Sequence, residues 1–188
     1  MLWTLPNILT IFRIVLIPVL VLVYYLPFGW INVAVTALFG LAAITDWFDG
    51  YFARKLKLVS PFGAFLDPVA DKLIVAVVLV LLVQSNPAWW FVVPAAIIIG
   101  REIAVSALRE WMAEIGERAQ VAVSVIGKIK TTVQMIALLL LLYHEPVGPL
   151  PTRELGITLL YLAAILTLWS MIIYLKAAWP TLSGQQKS

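Results

Sequence analysis

The sequence predicts an all-α integral membrane protein with six transmembrane helices and both termini on the cytoplasmic side. Three observations carry this. Of 188 residues 63% are hydrophobic, only 12% are charged and the mean hydropathy is +1.01, whereas a soluble domain carries about 25% charged residues. The apolar residues fall into six stretches, each near the roughly 20 residues that a helix needs to cross hydrocarbon. Lys and Arg gather on alternate connections, as expected where cytoplasmic loops retain positive charge.

The first stretch, about 8–27 (ILTIFRIVLIPVLVLVYYLP), has Arg13 inside its apolar run, with neither a basic leader nor a small-residue cleavage site, so it reads as a retained helix rather than a signal peptide. The second, about 31–53, ends in TDWFDGYFAR. The third, about 68–84, follows Asp67-Pro68, a favourable N-cap and first-turn proline. The fourth, about 88–112, begins with Trp89 and Trp90, which suit the aromatic belt at the outer interface. The fifth covers about 121–143 and the sixth about 155–176. Residues 1–178 read as a single transmembrane domain and 179–188 as a polar tail, with no internal repeat.

Arg54, Lys55 and Lys57 follow the second helix, Arg109 and Arg118 the fourth, Lys128 and Lys130 open the fifth, and Lys176 and Lys187 lie near the C-terminus. The connections after the first and third helices carry none, and that after the fifth only Arg153. With no cysteine, a disulfide framework and a thiolate metal site are both excluded. No nucleic-acid partner is expected. The net charge of +3 instead collects on the face that meets anionic headgroups.

Four aspartates within 26 positions interrupt this apolar chain. Asp46 and Asp49, three apart, share a helical face, as do Asp67 and Asp71, four apart. The two helices are consecutive and antiparallel, so both pairs should converge at one depth. Crowded carboxylates are expensive to desolvate and imply an offsetting cation. All-oxygen ligation favours Mg²⁺ or Mn²⁺, and two such ions could clamp a displacement at phosphorus. Interfacial placement of Asp46 and Asp49, and N-capping by Asp67, are the plainer explanations for each pair alone. Gly50, Ala53 and Gly63 remove bulk beside the pairs, which suits close approach of a ligand or of a neighbouring helix.

Written as one string, the spacing is Asp46-x₂-Asp49-Gly50-x₂-Ala53-Arg54-x₈-Gly63-x₃-Asp67-x₃-Asp71. This resembles the signature of the CDP-alcohol phosphotransferase family, with all eight fixed residues in place across the second and third helices. The stretches PNILTIFRIVLIP, REIAVSALREWMAEIG and VIGKIKTTVQM extend the likeness over nearly the whole chain, toward the branch that forms phosphatidylglycerol phosphate. The resemblance implies the fold of that family, a homodimer in the bacterial inner membrane, and transfer of the phosphatidyl group from CDP-diacylglycerol to glycerol 3-phosphate with release of CMP. It also implies that Asp46, Asp49 and Asp67 bind the metal ions and that Asp71 both touches metal and acts as general base. Gly50, Ala53, Arg54 and Gly63 would then shape the CDP-diacylglycerol site.

A phosphate-bearing acceptor wants Arg or Lys forks. Arg101 interrupts an apolar run, Arg109 follows eight residues later and Lys128 enters with the fifth helix; these three are the expected glycerol 3-phosphate ligands. A structural ion pair to a carboxylate of a neighbouring helix is the alternative for Arg101. Lys130 reads as an interface lysine and His144 as a loop residue on the opposite side. Asn7, Thr10 and Arg13 recur at threes on one face, and Thr10 and Arg13 are expected near the nucleotide or lipid phosphates. Another acceptor alcohol, such as inositol phosphate, would keep the same signature. A cation transporter would place its acids near the midplane, and a membrane scaffold would not need the complete aspartate set.

Overall fold

Six helices follow one another in the computed structural model of the protein: α1 (Leu5–Tyr24), α2 (Ile31–Leu56), α3 (Pro61–Ser85), α4 (Trp89–Glu114), α5 (Val125–Tyr143) and α6 (Thr152–Leu182). The structure describes residues 5–56, 61–116 and 125–182, with all side chains there except those at 5, 6, 47, 49–56, 61, 64, 125, 126, 128 and 180–182. Among the described residues the extended pairing is a single bridge between Val147 and Leu150.

Three segments are long and apolar enough to cross a membrane, Asn7–Tyr24, Trp89–Glu114 and Thr152–Trp179, and Ile31–Asp46 and Ile129–Tyr143 are shorter apolar helices. Helices satisfy their own backbone hydrogen bonds, which is what a lipid solvent demands. Large apolar side chains such as Leu22, Val80, Ile103, Ile165 and Trp169 stay exposed on their outer faces, as suits a protein embedded in a membrane.

One boundary differs from expectation in a way that matters. α3 begins at Pro61, not at Pro68. Pro61 occupies the first turn, where a missing N–H is harmless, and Pro68 lies inside the helix, a placement that membrane helices tolerate. Asp67 is therefore not a helix cap. It is an interior helical residue, one turn from Asp71 on the same element.

The chain divides into two compact units, one of Met1–Ser85 with Leu138–Gly156, the other of Asn86–Ala137 with Ile157–Ser188. In the first, α1 packs on α2 and α3, which also meet each other, around Leu16, Leu20, Phe39, Ala70, Val78 and Leu79. The Tyr24 hydroxyl donates to the Leu81 carbonyl at 3.0 Å and lies 2.5 Å from Ser85 Oγ, which ties the ends of α1 and α3. α5 terminates at His144, whose N–H makes the last helical bond, to the Leu140 carbonyl at 2.9 Å, and whose left-handed φ of 42° turns the chain out of the helix. The start of α6 then lies on the end of α5 so closely that a Cβ at Gly156 would stand 2.9 Å from Leu141 Cγ.

In the second unit Val105, Met112, Tyr174 and Ala178 form a buried cluster, flanked by Leu108 and Met171. The Tyr161 hydroxyl donates to the Trp90 carbonyl at 2.5 Å, joining the beginning of α4 to α6.

Candidate active site

In the first unit, α1 acts as a strut between the two acidic helices. Asn7, Thr10 and Arg13 recur on one face of α1 and are all buried. Thr10 Oγ1 donates to Asp67 Oδ1 on α3. One turn on, Arg13 Nη1 pairs with Asp71 Oδ1 on α3 and, at 3.0 Å, with Asp46 Oδ1 on α2. A single guanidinium nitrogen thus gathers one carboxylate from each aspartate pair. Arg13 is 1% exposed while the side chains of Asp46 and Asp71 are 48% and 42% exposed, so the cation forms the floor of the site and the carboxylates its open side.

The phasing responsible is local. Thr10 and Arg13 are three apart, as are Asp46 and Asp49, and Asp67 and Asp71 are four apart, so each helix presents its polar residues on one stripe. Gly63 is buried near the start of α3. The backbone of α2 carries Asp49, Gly50, Ala53 and Arg54 in helical register, and their side chains lie outside the described residues. Among the described residues no three acidic, imidazole or thiolate groups stand close enough to hold an ion. The donor set of Asp46, Asp67 and Asp71 is nevertheless all-oxygen and half open to solvent, and such a set fits a hard divalent cation.

The second unit holds a separate polar cluster on α4, α5 and α6. Arg101 is buried; its Nη1 donates to Glu102 Oε1 at 3.1 Å and its Nη2 to Ser170 Oγ at 2.9 Å. The same Glu102 oxygen accepts from Lys130 Nζ on α5. Arg109 Nη2 donates to the Tyr174 hydroxyl at 2.8 Å. The guanidinium carbons of Arg101 and Arg109 stand 5.4 and 5.0 Å from the Tyr174 ring centroid, within cation–π range. Two cations therefore share the Glu102 carboxylate and a third, Arg109, stands across the Tyr174 ring from Arg101, a gathering of positive charge that suits an anionic ligand.

Residues 3–169 match the CDP-alcohol phosphatidyltransferase family, and the aspartate signature lies within that span. The chain belongs to this family. Similar curated proteins include those of Salmonella choleraesuis (strain SC-B67) and Shigella flexneri, each 53% identical over 176 residues, covering 94% of this chain and 95% of the relative. That of Pectobacterium atrosepticum is 54% identical over 179 residues, covering 94% of this chain and 95% of the relative. All three are named CDP-diacylglycerol–glycerol-3-phosphate 3-phosphatidyltransferase.

For a CDP-alcohol phosphatidyltransferase the structure brings together Asp46, Asp67, Asp71, Thr10 and Arg13 in one place, and Arg101 with Arg109 in another. Thr10 and Arg13 meet aspartates directly, a contact that their spacing alone did not announce. Arg101 pairs with Glu102, a carboxylate on its own helix. Lys128 lies in α5 with its side chain outside the described residues. Lys130, read from the sequence as an interface lysine, is 4% exposed and inside the cluster. Glu102, Ser170 and Tyr174 were missed, although a signal existed for Glu102: it stands beside Arg101 in an apolar helix, where any ionisable residue calls for a partner.

Proposed function

We propose that this membrane-embedded enzyme transfers the phosphatidyl group of CDP-diacylglycerol to the 1-hydroxyl of glycerol 3-phosphate and releases CMP, a step toward phosphatidylglycerol and cardiolipin. The observation that carries the choice of acceptor is the positive cluster of buried Arg101 and Lys130, joined by Glu102, with the more exposed Arg109 beside Arg101 across the Tyr174 ring. Choline, which has no anionic group, gives those cations nothing to bind, and serine offers a single carboxylate in place of a doubly charged phosphate. Inositol phosphate would satisfy them too. The names of relatives at 53% identity favour glycerol 3-phosphate.

Asp46, Asp49, Asp67 and Asp71 would hold Mg²⁺ or Mn²⁺, two ions in this reading. Bound there, the ions supply the positive charge that stabilises the diphosphate oxygens and the departing CMP. Arg13 and Thr10 set the carboxylates in place, and Gly50, Ala53, Arg54 and Gly63 line the donor's path. Arg101 and Arg109 bind the acceptor phosphate, with Lys128 and Lys130 supplying further charge from α5. An Asp71 carboxylate oxygen takes the proton of the 1-hydroxyl. The 1-hydroxyl oxygen forms its bond to the phosphorus bearing the diacylglycerol, and the bond from this phosphorus to CMP breaks. The acyl chains reach the site from the bilayer.

All six helices would cross the bacterial inner membrane, with both termini and the aspartates facing the cytoplasm, where water-soluble glycerol 3-phosphate is found. A homodimer is the expected assembly. The test is CMP release by the purified protein in detergent with CDP-diacylglycerol and Mg²⁺ or Mn²⁺, comparing glycerol 3-phosphate, myo-inositol 1-phosphate and serine. Turnover with glycerol 3-phosphate alone, lowered about 10²–10⁴-fold in Asp71→Asn as for removal of a general base, is the expected result. Turnover with another acceptor alone overturns the assignment.

A further inference from the structure

Glu102 need not touch either substrate, yet it occupies a demanding position. Its Oε1 accepts from Arg101 Nη1 at 3.1 Å on its own helix and from Lys130 Nζ on α5. Arg101 is 7% exposed and Lys130 4%, and buried cations drawn side by side repel each other and are costly without an anion. Glu102 offsets part of this charge by bonding both cations through one oxygen. Arg101 is held on two sides, by Glu102 and by Ser170. Of its other donors, the buried Nε has no partner among the described residues. The guanidinium is thus fixed in orientation with hydrogen-bonding capacity to spare.

Lysine is the element most in need of such a tether. Its long stem has many rotamers, and freezing it during binding subtracts from affinity. A cation already held in place avoids that loss.

We infer that Glu102 is a positioning residue that presets Lys130 and Arg101 for the acceptor phosphate, an inference that rests on reading this cluster as the acceptor site. Glu102 acts through the two cations, so its removal is felt by the acceptor and not by CDP-diacylglycerol. Replacing the carboxylate by an amide weakens both tethers while nearly conserving volume.

The experiment measures KM and kcat for both substrates in wild-type protein, Glu102→Gln, Lys130→Met and the double variant. Glu102→Gln should raise the KM for glycerol 3-phosphate about tenfold or more, as expected for losing a charge-assisted hydrogen bond, with the KM for CDP-diacylglycerol unchanged within about twofold. In the Lys130→Met background the same change should cost much less, because residues acting as one unit are not additive. Equal rises in both KM values, or fully multiplicative effects, would make Glu102 a general structural residue and overturn the inference. A lowered acceptor KM would also overturn it, by making Glu102 a competitor of the phosphate. Should Glu102→Gln fail to fold, Glu102→Asp, which keeps the charge but retracts it by one methylene, must show the same acceptor-only rise. Wild-type protein that turns over no phosphate-bearing acceptor would instead sink the proposed function itself, a result visible before any variant is compared.

Discussion

Replacing Arg13 by Met removes the cation that ties α1 to both acidic helices while keeping a side chain of similar reach. At an effective dielectric of about 20, a unit-charge pair at the 3.0 Å separation from Asp46 attracts by about 5.5 kcal/mol. Asp46 and Asp71 are close to half exposed, so screening by solvent brings each pair nearer to about 3 kcal/mol. Removing the guanidinium also removes the cost of burying it, several kcal/mol in effect. The net loss should be about 2 kcal/mol, or a melting temperature lower by about 4–8 °C for a chain of this size. The assay is thermal unfolding in detergent without divalent ions, then with millimolar Mg²⁺ or Mn²⁺. The variant takes a shared cation away from two neighbouring carboxylates, and an added ion should restore more than half of its loss, since a ligand that binds only the folded state stabilises it. An unchanged melting temperature without ions would refute the claim that these pairs hold the three helices together. A loss that ions do not repair would refute the metal-site reading of these carboxylates.

Gly156→Ala should destabilise by about 1–3 kcal/mol in the same assay, because its Cβ would press on Leu141 Cγ at 2.9 Å. Gly40→Ala meets only Leu139 Cδ2 at 3.7 Å, an ordinary contact, and should be neutral or stabilising by about 0.5–1 kcal/mol through helix propensity. His144→Gly should raise stability by about 0.5–1 kcal/mol, since the φ of 42° strains an L side chain and not glycine. Tyr174→Phe removes the acceptor of the 2.8 Å bond from Arg109 while leaving the ring, and should raise the KM for glycerol 3-phosphate about three- to tenfold in the CMP-release assay.

Composition alone settled the class of this protein. A chain with 63% hydrophobic residues has too little polar surface to face water on all sides, and its helical segments could be read from the lengths of its apolar runs. Short-range phasing was equally legible. Residues three or four apart on a helix share a face whatever the helix packs against, which is why the pairs Asp46 with Asp49 and Asp67 with Asp71, and the stripe of Asn7, Thr10 and Arg13, could be seen in advance. The start of α3 was less so, because an Asp-Pro pair reads both as a helix opening and as a tolerated interior feature. Only the packed helix shows that Pro61 took the first role.

Contacts between elements distant in sequence belonged to tertiary structure. Nothing local says that Arg13, 58 positions from Asp71, supplies its counter-charge, or that Tyr174, 65 positions from Arg109, accepts its hydrogen bond. Lys130 stands in GKIKTT as one of two lysines near a helix start, and only the packed structure shows it buried in a charged cluster. The sequence by itself determined which residues are chemically able to hold metal and phosphate and on which helical face each lies, because residue type and helical period are local properties. The tertiary structure decided which cation meets which carboxylate, because that depends on how separate helices pack, and packing is summed over many weak contacts along the whole chain.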